Sequence, residues 1–416
     1  MRKTLFGAAC CAAATALAMP AAHAQEVDPV TFSLSYTGEA AANLSGGLRR
    51  DAAYAGQVYV GADVDLDQIA GIGGATIHAA ITNRHGENLS ALAIGNNTSV
   101  QEIWGTQNTH LAILTWQQTF FDGALDVEAG RSQANIHFLN SPLYCNFQSN
   151  SGCGNPTFVF KNSNFTYFPA SSWMIHAKAY FTPEIMLHVG AYEVNPDRKR
   201  ASDHGFTFST KNATGVIVPW ELSHSTDAHH YIIGGWFDRG DYADPLRDDQ
   251  GGVAILTGRP SATRHGRSGV YVRFDQKLTG PDSDKGLSLF GVAMTNLSGR
   301  VEESHFLELG LVQTGTFAGR DKDTMGFLIN DQRFSDLAME RMRAVGGQPR
   351  RHQYMMELAY GAQMGPAIRL SPNVQYILHP DQTGAPFRSK PTKDAFILGF
   401  KFTVDAMALL RNIKAR

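Results

Sequence analysis

Apolar and polar residues alternate along most of this chain, and glycine, proline, asparagine or aspartate interrupts the alternation again and again. A period of two marks a strand whose two faces meet different surroundings. Read this way, the pattern predicts sixteen strands, at roughly 30–40, 54–65, 74–83, 110–121, 124–131, 173–181, 185–194, 214–223, 229–240, 267–278, 286–296, 304–315, 323–334, 351–364, 368–380 and 394–404. Each is about 8–14 residues long, close to what a tilted strand needs to cross a bilayer. The connections between them alternate in length. Phe121-Asp122-Gly123, Thr182-Pro183-Glu184, Gly280-Pro281-Asp282 and Gly365-Pro366-Ala367 are tight turns, whereas 84–109, 132–172, 195–213, 241–266, 335–350 and 381–393 are long. The short stretch near 297–303 is the exception. A closed transmembrane barrel has short turns at one rim and long loops at the other. An even strand count then places both termini at the short-turn, periplasmic rim.

The alternation also assigns faces. Val270, Val272 and Phe274 oppose Arg273 and Asp275; Leu307, Leu309 and Leu311 oppose Glu308. Leu370, Val374, Tyr376 and Leu378 oppose Arg369, Asn373 and Gln375, and Phe396, Leu398, Phe400 and Phe402 oppose Lys401. A basic side chain facing lipid at mid-depth costs roughly 2–4 kcal/mol. Repeated over several strands, that cost assigns the charged sets to the inside. The fold expected is all-β, a 16-stranded antiparallel transmembrane β-barrel of the bacterial outer membrane.

Composition agrees. The 416 residues include 41 glycines and 24 phenylalanines with only 18% charged side chains, and 36 basic against 38 acidic groups leave little pull on nucleic acid. Arg2 and Lys3, the apolar run Leu5–Met19 and Ala22-His23-Ala24 form an export signal over 1–24, cleaved before Gln25. The barrel then occupies 25–404, with a tail at 405–416. No later apolar run is long enough for a spanning helix, so insertion must come from strands. Cys145 and Cys153 sit in turn-forming sequence within the longest connection. In an oxidising compartment they are expected to pair in a disulfide, with metal ligation the rival. His224, Asp227, His229 and His230 read as a solvated turn, because they lack the helical His-Glu-x-x-His spacing. Gly71-Ile72-Gly73-Gly74 precedes a strand and so reads as a tight turn, not a nucleotide loop.

Several segments, taken in order, carry a family resemblance. They are Leu44-Ser45-Gly46-Gly47-Leu48-Arg49-Arg50, Gln117-Gln118-Thr119-Phe120-Phe121-Asp122-Gly123, Glu128-Ala129-Gly130-Arg131 and Ser141-Pro142-Leu143-Tyr144-Cys145. Later come Gly269-Val270-Tyr271-Val272-Arg273-Phe274-Asp275-Gln276, Gly319-Arg320-Asp321, Glu357-Leu358-Ala359-Tyr360, and Leu370-Ser371-Pro372-Asn373-Val374-Gln375-Tyr376-Ile377 with His379-Pro380. Over essentially the whole mature length the chain resembles the carbohydrate-selective porin (OprB) family. The resemblance implies an outer-membrane barrel that passes sugars such as glucose by diffusion, without coupled energy. Two features depart from the family: Ala367 stands where a tryptophan is frequent, and the chain continues beyond Phe402.

A barrel this wide leaves an open lumen unless something narrows it. The connection 132–172 is the candidate eyelet. Its root, Arg131-Ser132-Gln133-Ala134-Asn135-Ile136-His137, offers donors and acceptors to a solute's hydroxyls, and Phe138, Tyr144, Phe147 or Trp116 an aromatic face. Candidate pore-lining residues are Trp116, Glu128, Arg131, Gln133, Asn135, His137, Arg273, Asp275, Glu308, Glu357 and Arg369. The alternative for Arg131 is an ion pair with Glu128 or Glu357. Gly319-Arg320-Asp321-Lys322-Asp323 reads as a structural periplasmic turn, with Arg320 tying down carbonyls or carboxylates. Expected partners are outer-membrane lipid and small neutral sugars, with no nucleic acid, cofactor or metal; association between barrels stays open. A general or organic-acid channel is the alternative within the class. A barrel-embedded hydrolase is the distant one, as no serine stands in a nucleophile-elbow context.

Overall fold

The structure, a computed structural model, describes residues 28–153, 157–280, 284–384 and 388–414. The export segment at 1–24 lies outside the described residues, as do Pro281 and Asp282 of the turn expected from sequence. Sixteen strands close into one antiparallel barrel in which each pairs with its sequence neighbours and β1 pairs with β16. They are β1 (Val30–Gly47), β2 (Asp51–Asp65), β3 (Ala75–Gly86), β4 (Thr109–Phe120), β5 (Leu125–Ser132), β6 (Ser172–Tyr180), β7 (Ile185–Val194) and β8 (Gly215–Ser225). The second half comprises β9 (His229–Asp248), β10 (Ser261–Lys277), β11 (Gly286–Ser298), β12 (Glu303–Thr314), β13 (Thr324–Phe334), β14 (His352–Met364), β15 (Ile368–Leu378) and β16 (Lys393–Asp405). Closure leaves no sheet edge, so every strand's backbone is paired on both sides, as a lipid environment requires.

The faces fall as the alternation predicts. Val272, Leu307, Leu309, Leu311, Leu398 and Phe400 are exposed to the outside, while Arg273, Glu308 and Lys401 are buried within. The short 299–302 connection does not disturb the count, because β11 and β12 pair directly up to Thr295 and His305.

Two stretches add detail that the pattern did not show. The stretch 241–266 is largely strand: β9 and β10 continue upward as a 20- and 17-residue hairpin. The Arg264–Asp244 ion pair (2.8 Å) and the His265–Asp241 hydrogen bond (2.8 Å) hold that extension, where no lipid imposes an apolar alternation to read. The tail beyond β16 forms a helix, Ala406–Lys414, packed against β1. Asp405 starts it, its carboxylate accepting the Ala408 N–H at 2.9 Å, while its own N–H donates to the Ala367 carbonyl at 2.8 Å.

Candidate functional site

The connection between β5 and β6, residues 133–171 and here called L3, turns into the lumen. Its sequence explains the direction. Phe138, Leu139, Tyr144, Phe147, Phe158, Val159 and Phe165 are too many apolar side chains for a solvated loop, and all are buried. Each contributes roughly 1.5–3 kcal/mol on leaving water. They pack on inward apolar residues of the wall in two clusters, one with Phe290, Val312 and Leu328, the other with Tyr192, Trp236 and Tyr271. Glycine makes the seats. A Cβ at Gly190 would meet the Phe138 ring at 3.0 Å, and one at Gly326 the Phe147 ring at 2.8 Å.

A loop buried this way must find partners for its backbone. Carboxylates of the wall supply them. Glu221 on β8 accepts the Leu139 N–H at 2.7 Å; Glu357 on β14 accepts those of Gln148 (2.7 Å) and Ser149 (2.9 Å). Asp238 on β9 takes Asn164 N–H at 2.9 Å, and Asp275 on β10 takes the Ser141 hydroxyl at 3.0 Å. Across the lumen, Lys401 on β16 donates to the Phe147 carbonyl at 3.1 Å, and Asn146 accepts from Thr324 (2.8 Å) and Arg369 (3.0 Å). Within L3 the short helix Thr157–Asn162 carries Lys161, 2.7 Å from Glu303. Burial opposes its charge, but Glu303 and Asp381 outweigh that and raise the ammonium above its ordinary range.

The predicted site residues therefore divide. Glu128, Arg273, Asp275, Glu308, Glu357 and Arg369 point inward, and most of them hold L3 or one another. Arg273 pairs with Asp275 and lies over the Tyr144 ring; Glu308 approaches Asn330 at 3.5 Å. His137 lies at the root of L3 against His176, ring centres 4.2 Å apart.

Others do not line the lumen. Trp116 is 42% exposed on the outer face, because its neighbours Thr115 and Gln117 take the inner one, where Gln117 bonds His78. Arg131 stands opposite Leu114 and Trp173, also on the outer parity. Its guanidinium donates to the carbonyls of Thr207 and Ser171, both at 2.8 Å, and lies between the rings of Trp173 and Phe208. It pairs with neither Glu128 nor Glu357; it clamps the 195–214 connection to the rim. Gln133 is spent on the carbonyls of Ala112 (2.6 Å) and Pro169 (2.9 Å), and Asn135 accepts the Phe168 N–H at 2.9 Å. Phe138, Tyr144 and Phe147 offer no open face, since packing consumes them. The Cys153 sulfur lies 3.4 Å from Lys401 Nζ.

Sequence reasoning missed the contribution of the 87–108 connection. Its Gln101 side chain donates to the Glu39 carbonyl at 2.8 Å, its Ile103 N–H to the Glu39 carboxylate at 3.2 Å, and its Glu102 N–H to the Gln148 carbonyl of L3 at 2.9 Å. Leu89, Ile94, Val100 and Ile103 were the available signal, a run of apolar residues in a loop. Phe160 was missed too. It is an exposed aromatic of L3, edge-on to Tyr167 at 5.1 Å.

Comparison with known proteins places this geometry. The model of the carbohydrate-selective porin, OprB family, matches residues 49–405. Porin B of Pseudomonas aeruginosa is 32% identical over 378 residues, covering 84% of this chain and 83% of that protein. The high-pH structure of Pseudomonas putida OprB superposes with a TM-score of 0.82 at 30% identity, over 91% of this chain and 94% of that one. Salmonella typhi OmpF, in complex with daunomycin, shares the fold at a TM-score of 0.55 and 8% identity, over 90% and 97% of the two chains.

Proposed function

The chain belongs to the carbohydrate-selective porin, OprB family, and we propose that L3 is the eyelet through which its sugars diffuse. Sugar diffusion through an outer-membrane barrel is the family's function and this chain's; the residues that set its selectivity are the proposal. One observation carries it: L3 crosses the lumen and is tied to wall carboxylates on β8, β9, β10 and β14. Those carboxylates accept loop N–H or hydroxyl groups, and nearby cations have acidic partners, as Lys401 has in Glu39 at 3.4 Å. A lumen neutralised in this way has little preference for ions. Hydroxyl-rich neutral solutes can exchange hydration for loop polar groups, and binding must remain weak enough for release. Phe160 is the aromatic of L3 placed to meet the apolar face of a sugar ring.

The molecule acts as a channel rather than an enzyme. Export through a signal cleaved before Gln25, with insertion into outer-membrane lipid, completes the proposal. An organic-acid channel is less well supported. The arginines around the roughly 420 Å³ cavity at the long-loop rim are balanced: Arg300 lies 2.5 Å from Asp244 and Arg341 3.3 Å from Glu302. The test is single-channel conductance in planar bilayers with glucose, maltose or gluconate added. Glucose should lower the current in a concentration-dependent way and gluconate should do so less. Unchanged current at high glucose would overturn the sugar-binding eyelet, and stronger block by gluconate would favour the acid channel.

A further inference from the structure

Three ligating side chains from separate places in the chain converge at the root of L3. They are Glu128 on β5, His176 on β6 and His137 on L3, and one donor atom from each lies within 4.8 Å of the others. Glu128 and His176 face each other directly in the β5–β6 register, Oε2 to Nε2 at 3.0 Å. Both are almost wholly buried, at 1% and 4% exposure. The His137 ring packs on that of His176 and is partly open to water.

The second carboxylate oxygen of Glu128, Oε1, is buried without a well-formed hydrogen bond, and the buried Thr115 hydroxyl is the protein group beside that carboxylate. Leaving a charged acceptor in that state is costly. The surroundings meanwhile hold the imidazoles in place. His188 Nε2 lies 3.1 Å from His176 Nδ1, which leaves His176 Nε2 for the cluster. Ser132 Oγ lies 3.1 Å from His137 Nε2, and His188 is stacked on Phe138 at 3.9 Å. Outer partners that set the tautomer and orientation of a ligating histidine are a regular feature of metal sites.

We propose that Glu128, His137 and His176 form a site for a first-row divalent cation of the zinc class inside the lumen. Two imidazoles and a carboxylate suit Zn2+ and its neighbours, whereas Mg2+ and Ca2+ require sets of oxygens. Three protein ligands leave a fourth position for water, reached from the side of His137. The ion would satisfy Glu128 Oε1 and join L3 to two wall strands. It would also place positive charge beside the path that solutes take. The site does not depend on which solute passes.

The test uses the full chain, stripped with chelator and titrated with ZnCl2 by calorimetry, with Co2+ absorption reporting the coordination. Three variants are compared: Glu128→Gln, nearly isosteric, His137→Ala on the loop, and His224→Gln. The last controls for the exposed His224–His229 pair, 2.8 Å apart at the short-turn rim. Each variant's barrel is checked by heat-modifiable gel mobility. One Zn2+ per chain is expected, weakened at least about tenfold in Glu128→Gln and His137→Ala and unaffected in His224→Gln. In bilayers Zn2+ should lower the wild-type current, EDTA should restore it, and Glu128→Gln should be insensitive. Equal Zn2+ binding by wild type and both cluster variants, loss in His224→Gln alone, or an equal effect of Mg2+ would overturn the proposal.

Discussion

Arg131 shows how far one residue's role depends on its parity in a strand. One position nearer or farther along β5 and its guanidinium would reach the lumen; at its own position it faces outward and holds Thr207 and Ser171. Arg131→Ala is therefore expected to leave single-channel conductance unchanged while making the 195–214 connection more sensitive to protease. A rise in conductance would return the residue to the pore. Asp323, at the opposite rim, also works by structure. Burial pushes its carboxyl up, but Tyr360, the Gln363 N–H and Arg320 (Nε at 2.7 Å) all favour the charged form, and the net effect holds it below the usual carboxylate range. A carboxylate with a lowered folded pKa adds stability above its unfolded pKa and loses it as pH falls through the folded value. Unfolding midpoints should fall with acidification more steeply in wild type than in Asp323→Asn, which at neutral pH should be less stable by about 1.5–3 kcal/mol, the range for hydrogen bonds to a charged group. Parallel pH profiles would show that Asp323 contributes nothing.

At the scale of elements, L3 and the wall are held by a trade of loop N–H groups against strand carboxylates. Glu357 is the clearest anchor, accepting two consecutive N–H groups. Glu357→Ala would strand both donors, at a cost of order 1–3 kcal/mol each. The expected outcome is a larger, noisier single-channel conductance with weaker glucose block. Conductance and block equal to wild type would mean that L3 does not limit flow. Phe160→Ala, by contrast, should weaken glucose block while leaving conductance in salt alone nearly unchanged, because the ring is half exposed and stands edge-on to Tyr167. Unaltered block would remove Phe160 from the sugar path.

For the whole molecule, closure and the lipid belt matter most. Leu309 sits mid-strand on β12, exposed on the outer face and opposite Ile329 and Gly291. Leu309→Arg should destabilise the barrel in lipid vesicles by about 2–4 kcal/mol, the cost of a basic side chain near the bilayer midplane. Unfolding in vesicles at the wild-type denaturant concentration would mean that β12 does not face lipid there.

The sixteen strands, their faces and the alternation of short and long connections were legible in the sequence, because lipid outside and water inside imprint a period of two on each strand. Glu308, Arg273 and Lys401 could thus be placed inside from their neighbours alone. Where that contrast fades, the legibility faded with it. The upward hairpin of β9 and β10 is held by Asp241 with His265 and by Asp244 with Arg264 across the two strands, and it read as a loop. The same holds more strongly for the site. Trp116 and Arg131 looked like lining residues by type, yet only the closed register assigns their outward side. Phe138, Tyr144 and Phe147 looked like a sugar platform until the wall took up their faces. The meeting of Glu128, His137 and His176 leaves no mark in local spacing, because it depends on β5 pairing with β6 and on L3 folding back between them. Sequence by itself determined the barrel, since each strand meets lipid and water directly; tertiary structure decided the pore, since its lining is the meeting of segments remote from one another along the chain.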